Sequence, residues 1–174
     1  MKIALCGYLG AGCTRVAKIL ASRLVLKSID KAVNTTGILS SANDSYLLSR
    51  SGESDFDMVI KKRTEDLLKR DNIIVEGRSA FMLLDREDVT KVFLNTPSDT
   101  RIKRVADRRG ISIEKAREDV ERSDEDRNSL IQRFCNKNYP DAKSFDFSMK
   151  TSSKTFSEVA EIIDGLIKSR KSSS

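Results

Sequence analysis

A run of glycines between a short apolar segment and an amphipathic one leaves this chain few folds to choose from. Residues Gly7–Thr14 read G-Y-L-G-A-G-C-T. Gly7 and Gly12 stand at the spacing of the phosphate-loop pattern G-x-x-x-x-G-K-[ST], with Gly10 between them. The preceding Lys2–Cys6 (KIALC) reads as a buried strand. Thr14–Leu26 carries Val16, Leu20 and Leu24 at i, i+4 and i+8, with Ile19 beside them, which reads as an amphipathic helix. Strand, glycine turn and helix in that order open a βαβ unit.

A bland reading of the same glycines is a tight turn. Their place between the first strand and the first helix favours phosphate binding. Glycines let backbone N–H groups converge on phosphate oxygens. The helix behind them presents its N-terminus to an anion. The Thr14 hydroxyl fills the position that ligates Mg²⁺. Cys13 stands where the pattern has lysine. Two readings of Cys13 are open: a thiol activated by the helix N-terminus, or a small neutral side chain filling the lysine's place. Arg15 and Lys18 are cations nearby, and an arginine from another segment is the better substitute.

Downstream, Lys27–Asn34 reads as a second, weaker strand, and Thr35–Asp55 as loop and short helix. Asp57–Arg70 reads as helix, with Phe56, Val59, Ile60 and Leu67 sharing a face. Asn72–Glu76 (NIIVE) is the clearest buried strand, and Lys91–Leu94 (KVFL) another, stopped by Pro97. Ser98–Arg109 reads as helix ended by Gly110. Ile113–Asn136 is a long charged helical stretch with a possible break near Ser123. Phe145–Met149 is a last strand and Phe156–Ile167 a closing amphipathic helix, with residues 168–174 a frayed tail. Alternating strands and helices imply one α/β domain over 1–174, its parallel sheet covered on both faces.

The chain has 174 residues and no histidine, which excludes His-based triads, His zinc sites and His general bases. Its three cysteines form no CxxC pair, so the expectation is a reducing, cytoplasmic setting. No apolar run is long enough to cross a membrane, and the start lacks the pattern of a secretion signal. The net charge of +6 fits nucleic acid or a pocket for anionic nucleotides. Arg101–Arg133 mixes both signs, and no interleaved aromatics accompany it.

Five further segments add a resemblance: Phe56–Thr64 (FDMVIKKRT), Asn72–Arg78 (NIIVEGR), Arg101–Gly110 (RIKRVADRRG), Glu121–Arg127 (ERSDEDR) and Phe145–Ile163. With the glycine loop, this order resembles archaeal-type cytidylate kinases, members of the nucleoside monophosphate kinases, over nearly the whole chain. The resemblance implies a P-loop NTPase fold with a five-stranded parallel sheet, a monophosphate-binding segment at about 35–70 and a lid at about 101–136. It implies transfer of the ATP γ-phosphoryl group to CMP or dCMP with Mg²⁺, by a monomer or weak dimer. By position, Gly7, Tyr8, Leu9, Gly10, Ala11, Gly12, Cys13, Thr14 and Arg15 would hold the ATP phosphates. Thr36, Gly37, Asp57, Arg63, Gly77 and Arg78 would hold the acceptor, and Arg104, Arg108, Arg122 and Arg127 would face the transferred group. Thr14 and Glu76 would serve the metal.

The residues make chemical sense of this. Phosphoryl transfer needs positioning and charge neutralisation more than proton transfer. Guanidinium groups grip phosphate with two donors. Asp57 suits an exocyclic amine such as that of cytosine. Solvated helix faces are the plainer reading of Arg63, Arg122 and Arg127. Three departures stand out: the missing lysine; Ile38–Ser41, which lacks the acidic residue and arginine expected after Thr36–Gly37; and a stretch between Gly37 and Glu76 shorter than the resemblance implies. Alternatives are a nucleotide-binding paralogue with weak or no catalysis, and a kinase of another small acceptor.

Overall fold

The computed structural model describes residues 1–24, 27–29, 64–66, 68–135 and 142–172. Strand β1 (Lys2–Gly7) leads through the glycine loop into helix α1 (Cys13–Leu24). Then come β2 (Lys27–Ile29), β3 (Ile73–Glu76) and a 3₁₀ helix over Gly77–Leu83. Strand β4 (Thr90–Asn95) is followed by α2 (Ser98–Arg109) and α3 (Ile113–Cys135). A short 3₁₀ turn at Ala142–Ser144, β5 (Phe147–Lys150) and α4 (Phe156–Ser172) complete it.

The five strands form one sheet in the order β2-β3-β1-β4-β5, and every pairing is parallel. β1 lies at its centre, with Leu5 opposite Glu76 of β3 and Val92 of β4. The glycine loop therefore leaves the carboxyl edge in the middle of the sheet, beside the ends of both neighbours. Ligands of such sheets bind at that edge.

Period-2 alternation divides the central strands between two cores. Ile3, Leu5, Ile74, Val92 and Leu94 point to one face, where Val16 and Leu20 of α1 and Val159, Ile163 and Ile167 of α4 cover them. Ala4, Cys6, Ile73, Val75 and Phe93 point to the other, against Phe81 and Leu84 and against Leu130 and Ile131 of α3. A third cluster, Ile102, Val105, Ala106, Ala116 and Val120, joins α2 to α3. Among the described residues, no helix is long and apolar enough to cross a membrane.

Several boundaries differ from the sequence expectation. Helix α3 runs through Ser123 unbroken. Helix α4 continues to Ser172, so residues 168–172 are helical and not a frayed tail. Lys168 pairs with Asp164 one turn back at 2.8 Å, and Arg170 reaches Asp146 at 2.6 Å. β5 begins at Phe147, because Asp146 turns both its backbone and its carboxylate to Lys91: its N–H donates to Lys91 O at 2.8 Å, and Oδ2 accepts from Lys91 N at 2.7 Å. The expected loop at 35–55 and most of the expected helix at 57–70 lie outside the described residues; residues 64–66 are helical.

Leu20 is fully buried between α1, α4 and the sheet. Leu20→Ala is expected to lower unfolding free energy by about 2–5 kcal/mol with an unchanged urea m-value. A loss much below that range would mean that the two helices repack around the site.

Candidate functional site

Packing from two sides holds the glycine loop. Within it, Ala11 N–H donates to Tyr8 O at 3.0 Å, and Gly12 O accepts the first helical bond of α1 from Val16 N at 3.0 Å. Gly10 and Gly12 have φ of 88° and 100°, where a side chain is strained. Space is closed there as well. A Cβ on Gly10 would stand 2.6 Å from Arg101 O, and one on Gly12 would stand 2.2 Å from the Phe156 ring. The first turn of α2 and the first residue of α4 thus press on the loop directly.

Arg101, which sequence reasoning passed over, is the strut of this arrangement. It is 6% exposed. Its Nε donates to Thr96 O at 3.2 Å, and Nη1 donates to Leu9 O in the glycine loop at 3.2 Å. Nη1 and Nη2 donate to the two carboxylate oxygens of Asp124 on α3 at 3.0 and 2.8 Å. The guanidinium carbon lies 5.0 Å from the Tyr8 ring centre. Arg104, one turn on, donates to Gly10 O at 3.5 Å and Thr151 O at 3.1 Å, and lies 5.0 Å from the Phe156 ring centre. Arg15 approaches the same ring at 5.4 Å.

A cleft of about 360 Å³ opens over the loop. Gly7, Tyr8, Leu9, Gly10, Gly12, Cys13, Thr14 and Arg15 line it, with Glu76 and Gly77 from the end of β3. Arg104, Asp107, Arg108, Arg127 and Phe156 complete the lining. Asp107 and Phe156 carried no sequence signal for a site. Ala11 is buried behind the loop, and Arg122 sits on the exposed side of α3, outside the lining. The backbone of Arg78 opens the 3₁₀ helix after Glu76, and its side chain lies outside the described residues. Thr36, Gly37, Asp57 and Arg63 lie outside them too.

Thr14 and Glu76 meet at the mouth of this cleft. Thr14 Oγ1 donates to Glu76 Oε1 at 2.7 Å, and Glu76 is 6% exposed. Two hard oxygen ligands from different elements face the same space, which suits a divalent cation shared with phosphates. No group of three or more Asp, Glu, Cys or His side chains suited to a metal occurs among the described residues.

Positive charge crowds the cleft. Burial lowers the Arg104 pKa from its usual value; burial, and then Arg109 and Arg15, do the same at Arg108. Both remain cations at neutral pH. Their shifts record a cost that an anionic ligand relieves.

The structure decides between the two readings of Cys13. Its Sγ turns in beneath the loop, where a Cβ on Gly7 would stand 2.7 Å from it. Burial first, and then the Glu76 carboxylate, push the thiol's pKa up to about 12, against the opposing pull of Arg127. It is a neutral filler and not an activated nucleophile. Native Cys13 is therefore expected to resist iodoacetamide at neutral pH and to react in denaturant, as read by mass spectrometry of its peptide. Because the folded pKa lies above the unfolded one, this group's contribution to stability falls as pH rises from about 9 to about 12. Rapid labelling of the folded protein would contradict the buried geometry.

Comparison with known proteins agrees with this construction. The model of the cytidylate kinase-like family matches residues 34–153. The cytidylate kinase of Sulfolobus acidocaldarius is 31% identical over 98% of this chain and 96% of its own length. That of Methanococcoides burtonii is 32% identical over 70% of this chain and 71% of its own. Among solved structures, a shikimate kinase from Bacteroides thetaiotaomicron superposes with a TM-score of 0.67 at 17% identity, over 97% of this chain and 98% of that one. That likeness shows that the two chains share one fold. Sheet order, glycine loop and sequence relatives together show that the chain belongs to the cytidylate kinase-like family.

Proposed function

We propose that this protein transfers the γ-phosphoryl group of ATP to a nucleoside monophosphate, with CMP and dCMP the favoured acceptors. One observation carries the reading. A glycine loop at a helix N-terminus, a Thr14–Glu76 pair and four arginines face a single cleft at the carboxyl edge of a parallel sheet. Relatives named cytidylate kinase support the choice of acceptor.

The chemistry needs little from the chain beyond position and charge. Loop amides from Gly7 to Arg15 would hold the donor phosphates. Gly77 and Arg78, with Thr36, Gly37, Asp57 and Arg63, would hold the acceptor. Arg104 and Arg108 would face the phosphoryl group in flight, where fixed cations stabilise developing charge. Arg122 lies outside the lining of the cleft and takes no role in this reading. The Thr14 hydroxyl and Glu76 carboxylate would hold Mg²⁺, which would supply charge neutralisation to the donor phosphates.

The buried, neutral Cys13 favours a second reading, in which nucleotides bind without efficient turnover. Loss of one fixed charge stabiliser typically costs about 10²–10³ in rate. A coupled ADP-release assay over a panel of monophosphates separates the two readings. The kinase reading expects CMP and dCMP to stimulate release most. ATP binding by calorimetry with no acceptor above background would leave the second reading standing and sink the first. Glu76→Gln keeps the shape of the side chain and removes its charge. It is expected to abolish most of the Mg²⁺ dependence of ATP affinity while leaving Mg²⁺-free binding near wild type; an unchanged Mg²⁺ response would remove Glu76 from the metal site.

A further inference from the structure

Cys13 leaves the glycine loop without the ammonium that its pattern normally carries. Four described arginines line the cleft. Arg15 and Arg104 both stand over the Phe156 ring, at 5.4 and 5.0 Å. Arg104 is further tied to Gly10 O and Thr151 O. Arg108 is exposed at the rim, where Arg15 is a charged neighbour. Arg15 and Arg104 thus belong to the flank of the cleft next to α4.

Arg127 is different. It comes from α3 and is 8% exposed although it lines the cleft. Its Nη1 donates to Ser123 O, one turn back, at 3.0 Å and also bonds the Ser123 hydroxyl. The side chain is thereby held in one orientation before any ligand arrives. It lines the cleft together with Tyr8 and Cys13, and the next residue of α3, Asn128, accepts a hydrogen bond from the Tyr8 hydroxyl at 3.0 Å, which holds this part of α3 against the loop. The Glu76 carboxylate acts on the Cys13 thiol.

We propose that Arg127, reaching in from α3, supplies the phosphate loop with the positive charge that residue 13 lacks, and holds the terminal phosphates of a nucleoside triphosphate. The inference rests on the reading of the cleft as a triphosphate site and is independent of the acceptor. A guanidinium serves here because it stays protonated when buried and offers several donors to phosphate oxygens. It also accounts for the tolerance of cysteine at position 13. A lysine there would bring a second cation against Arg127, so the two positions are alternatives for one charge.

The test is calorimetric titration of ATP and of inorganic triphosphate, which has the charge without the base, into folded variants without acceptor. Arg127→Met is expected to weaken both ligands by about 10- to 100-fold, the loss of a charge-assisted contact. Arg127→Lys should retain most of the affinity. Adding Cys13→Lys to Arg127→Met should restore it, while Cys13→Lys alone should add little. If Cys13→Lys does not fold, the contrast between Lys and Met at position 127 decides. Wild-type affinity in Arg127→Met overturns the proposal. So does equal weakening by Lys and Met, which marks a packing role. Failure of the wild type to bind either ligand overturns both this proposal and the triphosphate site. Intact Arg127 dependence without acceptor-stimulated turnover overturns only the kinase reading.

Discussion

Much of this structure hangs on one buried charge. Arg101 gives up nearly all contact with water, and such a group is tolerated only when its donors are matched. Here they are matched from three directions: Asp124 on α3, Thr96 O at the end of β4, and Leu9 O inside the glycine loop. The consequence is geometric. The helix pair α2–α3 cannot move away from the sheet edge without taking the guanidinium from Thr96 O and Leu9 O. The loop cannot change shape without losing a donor from α2. The backbone of Arg101 also occupies the space that a side chain on Gly10 would need. One residue thus ties the floor of the cleft to the helices that carry Arg104, Arg108 and Arg127.

The elements read most readily from the sequence were those fixed by local rules. β1 and β3 are apolar runs buried on both faces, and α2 ends at Gly110, whose φ of 64° suits the left-handed cap. The boundaries that differ were set by side-chain contacts. Serine competes with helical hydrogen bonds, yet the break expected near Ser123 does not occur. In the fold its oxygen atoms bond Arg127 one turn on, so that competition is absorbed within the helix. The end of α4 looked like a loose basic tail, yet Arg170 pairs with Asp146 just before β5.

The site divides along the same line. The glycine loop was legible because its chemistry lies in consecutive residues, and Glu76 because a buried strand points to it. Arg101, Phe156 and Asp107 were not, since only the fold brings them to the loop or to its cleft. Arg122 and Arg127 looked alike as helix arginines. Only the packing of α3 turns Arg127 into the cleft and leaves Arg122 on the exposed side. Sequence reading also gave the glycines a single purpose, the approach of phosphate. Gly10 and Gly12 serve a second one, because the Arg101 backbone and the Phe156 ring fill the space where their side chains would go.

That second purpose bears on the cysteine at position 13. The loop's shape is held by the contacts at Gly10 and Gly12, by the Arg101 and Arg104 bonds to Leu9 O and Gly10 O, and by its own turn from Tyr8 to Ala11. None of these involves the side chain of residue 13. A lysine could therefore be lost from the position without the loop losing its form, and the vacated volume is taken by a small thiol turned beneath Gly7. What changes is charge alone. In a cleft already lined by several arginines, charge is the one property that a neighbouring helix can replace.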